Sequence, residues 1–253
     1  METAYFLSDA HLQFHLDDYE RLRRLELFKL LDQIRAEGAT LFILGDWFDF
    51  YFEYGQVITK GYLDVFIKLR ELQQAGIAVH YVAGNHDYWL GKWLTEEFGI
   101  QIYREPVTLD FAGKQWHLIH GDGIAKADSG YRLLKKFLRH PALIKLFGWI
   151  HPDVGHWLAN FVSYKSRALN SDETADLEAK VQENILYAHT IFEAGADYFI
   201  TGHVHWPRIE RFSGKTFLTI GDWLNHFSYG YYDGSNLLLK QWPVKSLPQR
   251  ELP

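Results

Sequence analysis

Five mostly apolar, strand-like runs in this chain each end in residues that commonly bind metal ions. The run at 79–83 ends in Gly84-Asn85-His86-Asp87, which puts a neutral oxygen ligand and an imidazole on one short loop. The other four sites are Asp9 with His11, Gly45-Asp46 with Asp49, His120-Gly121-Asp122, and Gly202-His203-Val204-His205. Each match alone is weak, since Gly-Asn also forms turns and Asp also caps helices. Capping does not call for His at four of five sites, so the set requires one common explanation.

The first half of the sequence alternates predicted strands and helices. Apolar strands at 5–7, 41–44 and 79–83 are separated by amphipathic helices at 19–36 and 61–74. This order predicts a parallel sheet covered on both faces, an α/β fold. Residues beyond the carboxyl ends of such strands lie close together in space, so the loops with metal-ligand residues are expected to converge.

The rest of the sequence fits one domain. We expect a fourth strand at 116–119, a helix at 174–194, a strand at 197–201, and a hairpin of strands 208–212 and 216–220. With 253 residues and 47% hydrophobic content, the chain is long enough for a single α/β domain spanning 1–253.

Residues 131–170 separate His120 from His203 and differ in composition from the remainder. They contain seven Lys or Arg and one acidic residue, a net charge of +6 in a chain whose overall charge is -6. They are also rich in Phe, Trp and Leu. One interpretation is a helical subdomain that packs its apolar residues inward. The other is a helical lid with a basic rim, suited to an acyl chain attached to a phosphate or to a membrane surface.

The candidate ligands predict a site for two divalent ions. The chain has no Cys, so His, Asp, Asn or Glu must hold any metal. Two ions about 3.5 to 4 Å apart can activate water and stabilise a leaving oxygen, and they need a bridging carboxylate. Asp46 is the expected bridge. We assign one ion to Asp9, His11 and His205, and the other to Asn85, His120 and His203.

His86 is the predicted catalytic residue. It can protonate the leaving oxygen or stabilise charge on the phosphoryl group, and Asp87 is expected to fix its tautomer. On the extended segment 203–205, both His side chains are expected on one side and Val204 on the other.

Composition also bears on location and partners. The sequence has neither a secretion signal before the first strand nor a run near the roughly 20 apolar residues of a membrane span, so we expect a cytoplasmic protein. The net charge of -6 argues against general nucleic-acid binding.

As a set, the five sites resemble the motifs of the calcineurin-like metallophosphoesterases, in order and over nearly the whole chain. The resemblance implies a four-layer α/β/β/α sandwich whose matching residues ligate two metals, often Mn²⁺. Within that superfamily, the layout of His120-Gly121-Asp122, Asp128-x-Gly130-Tyr131 and an inserted helical lid is similar to the UDP-2,3-diacylglucosamine hydrolases of lipid A synthesis. Well-known enzymes of this type carry Arg where this chain has His86, whereas many other metallophosphoesterases carry His.

This closer resemblance implies cleavage of a pyrophosphate to UMP and an acylated sugar phosphate, lipid X, by an enzyme peripheral to the inner membrane. The expected substrate contacts are Asp128, Tyr131, Lys135, Phe137, Arg139, Phe147, Trp157 and Arg167. Phe137, Phe147 and Trp157 are expected to contact acyl chains, and Lys135, Lys136 and Arg139 to form a rim toward anionic membranes. The alternatives are a phosphoesterase for a soluble nucleotide, phosphodiester or phosphoprotein, a nuclease, and a metal-poor scaffold. A soluble substrate does not require clustered Phe, Trp and Leu, and a scaffold does not require the full ligand set.

Overall fold

The computed structural model describes residues 2–124, 135–159 and 174–244, and in these ranges eleven strands form two sheets. The strands are β1 (Ala4–Leu7), β2 (Thr40–Leu44), β3 (Val79–Val82), β4 (Gln101–Tyr103), β5 (Val107–Phe111), β6 (Lys114–Ile119), β7 (Tyr198–Thr201), β8 (Arg208–Phe212), β9 (Lys215–Thr219), β10 (Ser228–Tyr232) and β11 (Leu237–Gln241). The helices are α1 (Asp18–Glu37), α2 (Leu63–Gln74), α3 (Trp93–Phe98), α4 (Pro141–Phe147) and α5 (Thr174–Glu193), with a 3₁₀ turn at Lys60–Tyr62. Residues 135–138 and 152–159 are also helical.

Each sheet has a parallel centre. In the first sheet the order is β11-β10-β1-β2-β3-β4, with β1 to β4 parallel and β10 antiparallel to β1. In the second the order is β5-β6-β7-β9-β8, with β6, β7 and β9 parallel. The carboxyl ends of these parallel strands carry the loops with the candidate ligands.

The two sheets pack face to face, and helices cover their outer faces. Side chains alternate along each strand, so a strand contributes to one core between the sheets and to another beneath the helices. In β1, Tyr5 and Leu7 join a core with α1 and α2, whereas Phe6 packs into the layer between the sheets, stacked on Trp116 of β6 at 5.2 Å. Helix α5 covers the outer face of the second sheet through residues such as Val181. The four-layer α/β/β/α fold is therefore confirmed. Both faces of the first sheet are covered as expected, but one is covered by the second sheet rather than by helices.

The predicted hairpin is present as β8 and β9, which are antiparallel across the turn at 213–214. Strands β4, β5, β10 and β11 were not predicted. β10 pairs with β1, more than 200 positions earlier in the chain, as shown by the partners Ala4 and Tyr232. A pairing of that separation leaves no local signal in the sequence.

A buried guanidinium holds the loop after β1 in place. Arg23 of α1 is fully buried, and its Nη2 donates to the His11 carbonyl at 3.0 Å while Nη1 donates to the carbonyls of Ala10 and Trp223. Its charge is balanced by Glu20, which accepts a hydrogen bond from Nε at 3.1 Å. Helix α1 thus fixes the position of a loop that carries two candidate ligands.

None of the helices in the described ranges combines the length and apolar content of a membrane-spanning helix.

We predict that Arg23→Met lowers the free energy of unfolding by about 3 kcal/mol, because Glu20 loses one of its two buried partners and three carbonyls lose a donor. Urea denaturation monitored by circular dichroism measures this. The matched control is Arg35→Met on the same helix, whose half-exposed ion pairs with Asp32 and Glu71 should contribute less than about 1 kcal/mol. Equal losses in both variants would contradict the role given to Arg23.

Candidate metal centre

Three predicted ligands from the first and last loops converge. Asp9 Oδ1 lies 3.2 Å from Nε2 of His205 and 3.8 Å from Nε2 of His11. The two Nε2 atoms are 3.3 Å from each other. This is the grouping that the sequence predicted for one ion.

The other four predicted ligands form an adjoining group. Nε2 of His120 lies 3.3 Å from Asp46 Oδ2 and 3.1 Å from Asn85 Oδ1. The ligand atoms of Asp46, His120 and His203 all lie within 4.8 Å of one another. Asp46 Oδ2 is also 3.7 Å from His11 Nε2, so this carboxylate lies between the two groups, where a bridging ligand is expected.

Unusual backbone conformations aim these side chains inward. Of the eight described non-glycine residues with positive φ, five are predicted ligands: Asp9, His11, Asp46, His203 and His205, with φ between 42° and 68°. Such left-handed conformations cost energy in residues with a Cβ and concentrate at functional sites.

The expectation of an extended segment at 203–205 is wrong, because both of its histidines are left-handed. Val204 still points away, into the apolar cluster beneath α5, while its two neighbours serve different groups of ligands.

Two glycines let the carboxylates lie against the main chain. A Cβ at Gly84 would be 2.1 Å from Asp46 Oδ1, and a Cβ at Gly202 would be 2.5 Å from Asp9 Oδ2. In the space that a side chain would fill, the main-chain N–H of His86 donates to Asp46 Oδ1 and that of His203 donates to Asp9 Oδ2, each at 2.8 Å. These bonds leave the opposite oxygen of each carboxylate facing the histidines.

The donor set fits divalent cations. Ligands held at about 2.0 to 2.2 Å from one ion are roughly 3.0 to 3.5 Å apart, close to the separations found here. The buried Asp9 Oδ1 accepts no hydrogen bond among the described residues. The Nδ1–H of His120 donates to the Leu44 carbonyl at 2.8 Å, which directs Nε2 into the site, as in histidines that bind metals.

The electrostatics of the site favour positive charge beside Asp46. Burial raises the pKa of the Asp46 carboxyl, but the imidazoles of His120 and His86 lower it more, so this pKa lies well below its usual value. Burial lowers the pKa of His120, but the Asp46 carboxylate raises it more, to about 10. A bound cation would replace the proton that this carboxylate holds on His120.

His86 and Asp87 have different partners from those expected. The Nδ1–H of His86 donates to the main-chain carbonyl of Asp49 at 2.7 Å. The buried Asp87 carboxylate instead accepts main-chain N–H bonds from Trp47 and Gly84, each at 2.8 Å. The expectation that Asp87 fixes the tautomer of His86 is therefore wrong. Asp87 joins two ligand loops, and the Asp49 carbonyl orients the imidazole.

Asp222 was missed by the sequence reasoning. Its Oδ2 lies 3.6 Å from Nδ1 of His205 and accepts the Nδ1–H of His226 at 2.9 Å, while Oδ1 accepts main-chain N–H groups of 224–226. Burial raises the pKa of Asp222, but the bond from His226 and the charge of His205 lower it more, to about 2. The sequence did contain a signal for Asp222: the pair Gly221-Asp222 follows a buried strand, as the pair Gly45-Asp46 does.

Lys135 and Arg139 lie against the loop that follows His120. Lys135 Nζ is 2.7 Å and Arg139 Nη2 is 3.2 Å from Asp122 Oδ2, and the Arg139 guanidinium lies 3.8 Å from the ring centroid of Tyr88. Both cations help to line a cleft next to His120. The expectation that they form a rim toward a membrane stays a prediction.

The three apolar residues predicted to contact acyl chains differ in environment. Phe147 packs on Phe52, with ring centroids 4.8 Å apart, and so helps to hold α4 against the core. Phe137 and Trp157 are 61% and 66% exposed. The remaining predicted contacts, Asp128, Tyr131 and Arg167, lie outside the described residues.

Comparisons with known proteins place these residues in context. The model of the calcineurin-like phosphoesterase family matches residues 3–207, a span that contains all five ligand loops. The chain is 32% identical over 253 residues to the UDP-2,3-diacylglucosamine hydrolase of Porphyromonas gingivalis, covering 93% of this chain and 96% of that protein. It is 26% identical over 226 residues to the protein of that name from Haemophilus ducreyi, with coverages of 88% and 92%. With that from Neisseria meningitidis the identity is 28% over 229 residues, with coverages of 90% and 92%.

Proposed function

The chain belongs to the calcineurin-like phosphoesterase family, and we propose that it hydrolyses the pyrophosphate of UDP-2,3-diacylglucosamine to UMP and 2,3-diacylglucosamine 1-phosphate, lipid X. The observation that carries this proposal is the similarity to relatives named for that activity over 88 to 93% of this chain. The family match at residues 3–207 also includes every candidate ligand and residues 131–170.

We assign two divalent ions to the centre, with Mn²⁺ as the proposed metal, because carboxylate, amide and imidazole donors without thiolates suit a hard or borderline ion. In this assignment Asp46 would hold both ions. The further ligands are Asp9, His11 and His205 for one ion, and Asn85, His120 and His203 for the other. When bound, such a pair neutralises phosphate charge and lowers the pKa of water.

His86 is the proposed proton donor or charge stabiliser. Because its Nδ1–H is held by the Asp49 carbonyl, Nε2 is the ring atom left for the substrate. In the imidazolium form, Nε2–H can donate to the leaving oxygen or to a phosphoryl oxygen. The ring also meets that of His11 edge-on at 4.7 Å, which places it next to the candidate ligands.

The apolar surface of the inserted segment supports the proposal that the substrate carries acyl chains. Trp149 and Trp157 are 80% and 66% exposed, and Trp is a residue type enriched at interaction surfaces. Trp157 also lines a cavity of about 570 Å³ together with Phe14, Tyr54 and Ile58. We propose that this cavity receives acyl chain and that the surface around it contacts the cytoplasmic face of the inner membrane.

His86→Ala should lose about 10²- to 10⁴-fold in rate, the usual contribution of a general acid or charge stabiliser, and should keep its metal. His86→Arg should recover part of that loss if charge stabilisation is the main role. Steady-state kinetics with metal analysis of each variant tests this. Unchanged activity of His86→Ala would exclude a catalytic role, and loss of metal would show that the imidazole is a ligand.

The substrate is tested by comparing UMP release from UDP-2,3-diacylglucosamine and from unacylated UDP-glucosamine. We expect a strong preference for the acylated substrate, because burial of acyl chain contributes about 25 cal/mol per Å². Trp157→Ser should lower kcat/KM for it about tenfold or more, since a Trp side chain provides a large apolar contact. The control is Leu25→Ser, a similarly exposed apolar residue on α1, which should have no effect.

Equal turnover of both substrates would contradict the lipid assignment. It would favour the alternative, a phosphoesterase for soluble nucleotides, phosphodiesters or phosphoproteins.

A further inference from the structure

The cleft next to His120 has a volume of about 560 Å³ and shares no lining residue with the cavity that contains Trp157. Its volume lies within the roughly 300 to 1,000 Å³ typical of small-molecule sites. The side chains that give the cleft its chemistry are Arg104, Lys135, Arg139, Glu105, Glu183 and Tyr187. Cations, carboxylates and an aromatic ring thus line one cleft that reaches the metal centre.

The end of the cleft nearest the centre suits a phosphate. Lys135 and Arg139 both contact the carboxylate of Asp122, two positions after His120, so two positive charges lie close together there. Arg139 uses Nη2 for that contact, and a guanidinium has five N–H donors in all. The cations can therefore bind a phosphate oxygen while keeping Asp122 as their anchor.

The wall formed by α5 suits a base and a ribose. Tyr187 is 37% exposed, and the Phe199 ring packs nearly perpendicular to it at a centroid distance of 5.9 Å, which fixes the tyrosine ring from one side. Unpaired bases commonly stack on aromatic side chains. The carboxylates of Glu105 and Glu183 also line the cleft, and in many nucleotide sites an acidic residue accepts hydrogen bonds from ribose hydroxyls.

We propose that this cleft binds the uridine nucleotide half of the substrate, with the phosphate between Lys135 and Arg139 and the uracil on Tyr187. This inference rests on the proposed function. The two halves of the substrate then occupy two separate cavities. The polar nucleotide matches the charged lining of the cleft next to His120, and the acyl chains match the lining of the cavity that contains Trp157. The pyrophosphate then lies at the metal centre, which the nucleotide cleft reaches at His120.

Calorimetric titration of the metal-loaded protein with UMP and, separately, with inorganic phosphate tests the cleft without requiring turnover. Tyr187→Ala should weaken UMP binding about tenfold, the usual contribution of one base stack, and Tyr187→Phe should restore it. Phosphate binding should change by less than about twofold in both variants, since phosphate has no base to stack. The control is Glu193→Gln, at the exposed end of the same helix, which should bind UMP as the wild type does.

Unchanged UMP affinity in Tyr187→Ala would overturn the proposal, as would a parallel loss of UMP and phosphate binding, which would indicate a general structural defect. A wild-type protein that shows the expected UMP pattern but does not hydrolyse UDP-2,3-diacylglucosamine would refute the proposed function and leave the nucleotide cleft supported. Hydrolysis of the lipid without the UMP pattern would refute the cleft alone.

Discussion

The buried carboxylate of Asp46, placed between the imidazoles of His11 and His120, is the interaction on which the site depends. A carboxylate with 2% exposure is costly unless positive charge and hydrogen bonds compensate for it. Here Oδ1 accepts the main-chain N–H of His86, and Oδ2 faces the Nε2 atoms of both histidines. The position of this one oxygen links the two groups of candidate ligands.

The architecture makes that arrangement possible. The ends of β1, β2 and β3 in one sheet and of β6 and β7 in the other bring five loops together, and the left-handed residues direct their side chains to a common centre. Helix α1 supports the first loop through Arg23, and Asp87 joins the second loop to the third. The strained loops are therefore fixed by contacts that take no direct part in the chemistry.

Much of this site was predictable, because residues that follow parallel strands must converge. Asp9, Asp46, Asn85 and the four histidines were identified from that rule and from their residue types. The unpredicted features depend on tertiary packing. Local sequence periodicity does not indicate the pairing of β10 with β1, the contact of Asp222 with His205, or the direction of Lys135 toward Asp122. The partner that orients His86 was misassigned because sequence adjacency suggested Asp87, whereas the carbonyl of Asp49 is the partner.

Anomalous diffraction from crystals of the Mn²⁺-loaded protein tests the central claim most directly. The account predicts two peaks about 3.5 to 4 Å apart, both within coordination distance of the Asp46 carboxylate. One peak should lie next to Asp9, His11 and His205, and the other next to Asn85, His120 and His203. A single peak, or two peaks of which only one contacts Asp46, would contradict the bridging role and with it the proposed organisation of the site.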